Sequence, residues 1–258
     1  YSLQSIVFGD GVEVSSFGAS DLNEVTEFKL PSSLNSLWLT NLNNLTQLDL
    51  TSWENLQNLS LQAVGIDGES GLKLDLSHNT QLTSVTLRSL NLSEGLSLQE
   101  LSQLENIRFE FVEGLSELDL SQNHALTDVY VSSLGLEKIV FADDAALTSL
   151  ELGNNQLTEL TIPQAAQLET LSVGENKLTS LNIPENSKAT LKSLYAYRNN
   201  LASLDLSDMK LELCLLKAAT ATGPEQFPIY EGVLQENGTV TVNLSGLAAN
   251  IVSVDPGS

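Results

Sequence analysis

Residues 147–157 read Leu147-Thr148-Ser149-Leu150-Glu151-Leu152-Gly153-Asn154-Asn155-Gln156-Leu157, and the phrase returns at 168–178 and 191–201. Each copy has apolar or small residues at its first, fourth, sixth and eleventh positions. The alternation across Leu150 and Leu152 marks a short strand with one face buried. The Asn at the ninth position falls where the strand turns. There a side-chain amide can satisfy backbone groups that the turn leaves unpaired.

Looser copies extend the pattern towards the N-terminus. Their fourth positions are Leu37, Leu59, Val85, Ile107, Val129, Leu150, Leu171 and Leu194, mostly 21 to 23 residues apart. A second series, Leu48, Leu74, Leu96, Leu118, Ile139, Leu160, Leu181 and Leu204, runs between them. A strand every 10 or 11 residues leaves no room for an ordinary helix, so each coil is strand, corner, strand, corner. Each coil inserts about six Leu-type side chains between its sheets. At about 1.5–3 kcal/mol per buried aliphatic side chain, this offsets chain ordering only where neighbouring coils cover it.

Composition agrees. The 258 residues include 51 Leu but only 7 Phe, 5 Tyr, 2 Trp and 1 Met. One branched side chain used so heavily points to one packing solution repeated many times. A net charge of -22 argues against nucleic acid, which needs a basic footprint, and against docking on an anionic membrane. The apolar runs fall short of the roughly 18 residues of a membrane helix, so no direct membrane insertion is expected. The single Cys214 excludes an intrachain disulfide framework and a multi-Cys zinc site. It lies in the apolar run Leu211–Leu216, where a buried, inert thiol is the ordinary state.

The phrase Leu-x-x-Leu-x-Leu-x-x-Asn-x-Leu resembles the leucine-rich repeat consensus over about residues 34–216. The halves around Ser77-His78-Asn79, Ser121-Gln122-Asn123 and Pro184-Glu185-Asn186 are similar to the short repeats of bacterial surface leucine-rich proteins. The N-terminal stretch Leu3-x-x-Ile6-x-Phe8 and Val25-x-x-Phe28-x-Leu30-Pro31 is similar to the BspA-like subtype. The expected fold is an all-β-rich, right-handed leucine-rich repeat solenoid of about eight coils of about 22 residues, with two short parallel strands per coil. Residues 1–33 are expected as a degenerate coil or cap and 34–216 as the solenoid. Residues 217–258 are expected as a cap with a hairpin around Asn237-Gly238, or the start of a further module. The chain starts at Tyr1 with no signal segment and reads as a mature or truncated product. The resemblance implies an exported, extracellular or cell-surface parent. The early coils depart from consensus: Leu42, Val64, Leu90, Val112 and Leu134 replace the inward Asn, so their corners need other hydrogen-bond partners.

Little in the sequence points to catalysis. His78 and His124 occupy corners two coils apart, with no Cys or third His to complete a metal set. Some bacterial leucine-rich effectors carry a ligase Cys followed two positions later by Asp; here that position is Leu216. No Gly-rich phosphate loop or G-x-S-x-G elbow is present. Asp49, Asp75, Asp119 and Asp205 share one outward position and read as a solvated acidic face rather than a calcium site. The sequons at Asn44, Asn58 and Asn91 are by-products of the repeat. No enzyme activity, cofactor or metal site is expected.

A partner surface is more legible. The outward residues of the first strand series are free to vary, because they do not carry the fold. They include Trp38, Arg88, Arg108, Glu110, Tyr130, Tyr195 and Tyr197, and Arg198 stands at the edge. These eight hold all three arginines of the chain, and Arg, Tyr and Trp are the residues most enriched at binding hot spots. The expected function is a non-catalytic module presenting this sheet to a protein or glycan. The alternative is a spacer or stalk segment of a larger surface protein. In that case Arg88 and Glu110 merely pair across the ladder and Tyr130 covers aliphatic stems.

Overall fold

The computed structural model describes residues 3–215, apart from positions 10, 46, 66–70, 93, 94, 203, 207, 208, 210 and 212. The expected hairpin around Asn237-Gly238 lies outside the described residues.

Ten strands form one continuous parallel sheet: β2 (Ser16–Ser20), β4 (Ser36–Leu42), β6 (Asn58–Val64), β8 (Ser84–Asn91), β9 (Asn106–Glu113), β11 (Asp128–Ser132), β13 (Ser149–Glu151), β14 (Thr170–Ser172), β15 (Ser193–Tyr195) and β16 (Leu213–Leu215). The second series contributes short parallel pairs: β1 (Ser5–Val7) with β3 (Glu27–Lys29), β5 (Gln47–Leu48) with β7 (Lys73–Leu74), and β10 (Glu117–Leu120) with β12 (Lys138–Phe141). The molecule is a parallel β-solenoid of about eight turns of about 22 residues.

The register runs as the repeat spacing dictates. Leu37, Leu59, Val85, Ile107, Val129, Leu150, Leu171 and Leu194 form one unbroken inward row, and Leu194 pairs in register with Cys214 of β16. The first eight of these are nearly or wholly buried. At the N-terminal end, Phe8, Phe17 and Phe28 meet edge to face and fill the first coil.

The 26-residue step between Leu59 and Val85 is matched in the second series, where Leu48 pairs with Leu74. At Leu160 and Leu181 the second series keeps its inward leucine but forms no strand. There the next corner opens with Pro163 or Pro184, which has no N–H to donate to a ladder. The corner after Pro184 tightens into one helical turn, α1 (Glu185–Lys188).

Corners are closed in two ways. In the later coils Asn155, Asn176 and Asn199 turn inward. The Asn155 Nδ2 donates to the carbonyls of Val131 and Leu152, and its Oδ1 accepts from the N–H of Leu134 and Leu136. Asn176 and Asn199 repeat this one coil at a time. In the earlier coils, where Leu42, Val64, Leu90 and Val112 stand instead, the strands lengthen to seven or eight residues. Pairing continues through Leu42–Val64 and Leu90–Val112, so backbone bonds replace the missing amide.

The turn that permits this is the same near the end of each of the first nine strands of the long sheet. Asp21, Asn41, Ala63, Ser89, Phe111, Ser133, Asn154, Glu175 and Arg198 all have φ between 50° and 61°. This left-handed residue shifts the side-chain alternation by one, so that the residue after it points inward. Its own side chain stands on the edge of the long sheet, where Asn41 donates to Asp21, Asn154 to Ser133 and Arg198 to Glu175.

At the opposite corner Asn79 and Asn123 are fully buried. Each donates to two carbonyls of the preceding coil: Asn79 to Leu50 and Trp53, Asn123 to Leu98 and Leu101. Asn186 does not join them. It is exposed and bonds the Gln164 carbonyl, while the neighbouring Ser187 takes the buried place and bonds both Ala166 and Leu168.

Candidate functional site

The outward face of the long sheet carries two rows. One runs Gly18, Trp38, Ser60, Thr86, Arg108, Tyr130, Glu151, Ser172, Tyr195. The other runs Ser20, Thr40, Gln62, Arg88, Glu110, Ser132. Parallel strands stand about 4.8 Å apart, so neighbours in a row can touch and residues three strands apart are about 14 Å away.

Arg88, Arg108, Glu110 and Tyr130 come together. The Glu110 carboxylate is only 15% exposed, and its Oε2 lies 3.2 Å from Arg88 Nε and 3.8 Å from Arg108 Nη2. Neither contact has hydrogen-bond geometry, so that oxygen is held by charge alone. The Arg108 guanidinium lies 3.9 Å above the Tyr130 ring centre, a cation–π stack. Both guanidiniums remain about half exposed, at 46% and 52% of their side chains. The cross-ladder pairing that a purely structural role requires is therefore present. Ion pairs this open contribute at most about 1 kcal/mol each, too little to explain why a chain of net charge -22 gathers its arginines here.

Tyr195, Tyr197 and Arg198 form a second group. Arg198 is paired with Glu175 at 2.8 Å. The Tyr197 ring lies on the bare backbone of Gly174: a Cβ there would stand 2.6 Å from the ring. Gly174 is a seat for that ring rather than an empty place on the sheet. Trp38 stands apart, three strands from Arg108, and folds over Gly18 in the same manner while remaining 49% exposed. The eight expected residues thus form two clusters and one outlier on a single face.

Phe111 was not visible from the pattern. Extending the alternation of Ile107 and Phe109 buries it. The left-handed φ of 53° instead turns it out beside Glu110, and it is 51% exposed. The signal in the sequence is the pair Phe111-Val112, two consecutive apolar residues at the end of a strict alternation.

The remaining expected features have structural uses. Asp49, Asp75 and Asp119 each accept the backbone N–H two residues on, from Thr51, Ser77 and Ser121. The hydroxyl of the same residue, the larger influence at Asp49 and Asp119, joins these N–H bonds in holding all three carboxyls below the usual aspartate value, for Asp119 with help from Gln99. His78 contacts Ser77 and His124 contacts Asp144. Among the described residues no three His, Cys, Asp or Glu side chains gather as a metal set. A cavity of about 470 Å³ opens between β7 and residues 95–100, lined in part by Lys73, Asp75 and Glu100, away from the arginine cluster.

The repeat, the inward asparagines and the parallel ladder define a leucine-rich repeat fold. Among solved structures, the chain is similar to the functional domain of InlJ from Listeria monocytogenes, which includes a cysteine ladder. That likeness has 21% identity and a TM-score of 0.50, covering 78% of this chain and 53% of that one. The chain thus spans about half the length of the InlJ domain. With one cysteine it has no such ladder, and its late corners stack asparagines. An internalin, InlF, from the same species is 19% identical with a TM-score of 0.48, over 79% of this chain and 76% of that one. No protein-family profile and no curated protein sequence matches the chain.

Proposed function

We propose that the chain is a non-catalytic binding module of an extracellular or cell-surface bacterial protein, holding a protein or glycan on the outward face of its ten-stranded sheet. The observation that carries this reading is the placement of all three arginines on that face or its edge, with three tyrosines and Trp38. Side chains fixed by a rigid ladder lose little freedom on binding, so contacts made there are not offset by ordering. In this reading residues 1–33 cap one end, 34–216 carry the ladder and 217–258 close the other end or begin a further module. No helix among the described residues is long and apolar enough to cross a membrane. The BspA-like subtype belongs to the same proposal.

The test is capture from a mucosal extract, run beside a glycan array, with the wild type and an Arg88→Ala/Arg108→Ala/Tyr130→Ala variant. A ligand held by the wild type and lost by the folded variant supports the reading. Equal capture, or none by either, favours the spacer, which the cross-ladder pairing of Glu110 with both arginines also accommodates.

A further inference from the structure

We propose that the ladder face recognises a protein segment that seats one carboxylate on Arg88 and Arg108, lays an apolar side chain against Phe111, and carries basic residues around them. This rests on the binding-module reading above and names the chemistry of its partner.

The first argument is charge. Two guanidiniums share the single carboxylate of Glu110, which leaves one positive charge uncompensated. Among the described residues neither arginine forms another ion pair. Glu110 approaches Arg88 at Nε, so the Nη donors of Arg88 stay available for the bidentate geometry that carboxylates accept. Arg108 is held in place by its stack on Tyr130.

The second argument is Phe111. A bulky residue at φ 53° is strained, and burial does not offset the strain because half the side chain remains in water. Its ladder neighbours are the small Ser89 and Ser133. A strained, exposed aromatic beside the one cationic cluster that the described residues place on the face is set for contact with something outside the chain.

The third argument is the surround. Asp128 pairs in register with Asn106, Glu151 with Tyr130 and Glu113 with Asn91, so negative side chains ring the positive centre. The complement of that pattern is a carboxylate within a basic rim. A polyanion such as a sulfated glycan meets the acidic ring along its whole length, and so a protein segment fits better.

The experiment selects peptides from a displayed library of random 12-residue sequences on the full chain. The expected winners carry Asp or Glu beside an apolar residue, with Lys or Arg flanking. Synthetic copies should lose at least tenfold in affinity when their acid is replaced by its amide. They should lose as much against Arg88→Gln/Glu110→Gln/Arg108→Gln, which removes all three charges without leaving Glu110 unpaired. Glu110→Gln alone frees both guanidiniums and should bind about threefold more tightly or better, a gain that no loss of structure can produce. Phe111→Asn should bind several-fold more weakly while resisting urea better than the wild type. Circular dichroism confirms the fold of each variant.

Winners without an acidic residue, equal binding by the triple variant, no enrichment at all, or arginine-dependent capture of a heparin fragment in place of peptides would each overturn the proposal. Acid-independent winners that depend on Tyr195 and Tyr197 would overturn it while leaving the ladder face as the binding surface.

Discussion

Phe111 shows how one residue can be costly to the fold and still hold its place. The left-handed conformation costs a bulky L-residue about 1–2 kcal/mol, whereas Asn and Asp tolerate it, as they do at Asn41 and Asp21, three and four coils earlier in the same motif. Phe111→Asn is therefore expected to raise stability by about 1 kcal/mol, read as a higher urea midpoint at unchanged slope. A lower midpoint would mean that the ring packs more usefully than its exposure implies. The inward asparagines lie at the other extreme. Asn155 serves five backbone groups at once, and its loss leaves several of them buried without partners. Asn155→Ala should cost about 3 kcal/mol in the same titration, the sum of more than one unsatisfied group. A cost below about 1 kcal/mol would show that the corner closes by another route.

At the scale of the element, a strand can end in an amide or in more strand. Where Asn stands inward, as in β13, β14 and β15, three paired residues suffice. Where Leu42, Val64, Leu90 or Val112 stands there, the ladder runs on past the left-handed residue; at Leu134 the strand stops at Ser132 and the next coil's Asn155 accepts the Leu134 N–H. The sequence shows this substitution plainly, as Leu42, Val64, Leu90 and Val112 against Asn155, Asn176 and Asn199, and it foretells that other partners are needed. What it does not show is the left-handed residue itself. Its positions carry Ala, Ser, Phe, Glu and Arg as well as Asn and Asp, so no local preference marks them. That is why the rows of the face were legible and Phe111 was not.

The second series has its own device, the Asp-Leu-Ser/Thr corner. Asp49, Asp75 and Asp119 have carboxyls depressed below the ordinary value near 3.8 by the hydroxyl and N–H bonds they accept from Thr51, Ser77 and Ser121. A depressed folded-state pKa contributes stability that is present above the unfolded value and lost as pH falls through the folded one. An Asp49→Ala/Asp75→Ala/Asp119→Ala variant should thus melt below the wild type at pH 6–7. The gap should close as pH falls from about 4 towards 2, where the wild-type carboxyls are protonated. A gap that persists in acid would assign the effect to packing.

The whole molecule is a one-dimensional stack, so each coil depends mainly on its neighbours. The corners after β13 and β14 share a left-handed residue followed by an inward asparagine, and the strands' registers join Ser149 to Thr170 and Leu150 to Leu171. Deleting residues 149–169 should splice Thr148 to Thr170 and leave a folded, shorter solenoid with the same circular dichroism per residue. Cooperative collapse of the shortened chain would show that the coils are not interchangeable. The deletion also brings Tyr195 one strand nearer Tyr130, about 4.8 Å, and removes Glu151 from beside Tyr130 while keeping every residue of both clusters.

The stack explains what its surface does in turn. The fold is specified by inward rows, and the outward rows can therefore concentrate Arg88, Arg108 and Tyr130 in the centre of a strongly acidic molecule. The most direct test of that claim compares ligand capture by the wild type, by Arg88→Ala/Arg108→Ala/Tyr130→Ala, and by a control with Val140→Ala on the outward side of the second series, where Val140 is exposed. Capture lost only in the ladder variant, with all three proteins folded, is the predicted result. Capture retained by the ladder variant, or lost equally in the Val140 control, would contradict the assignment of recognition to the long sheet.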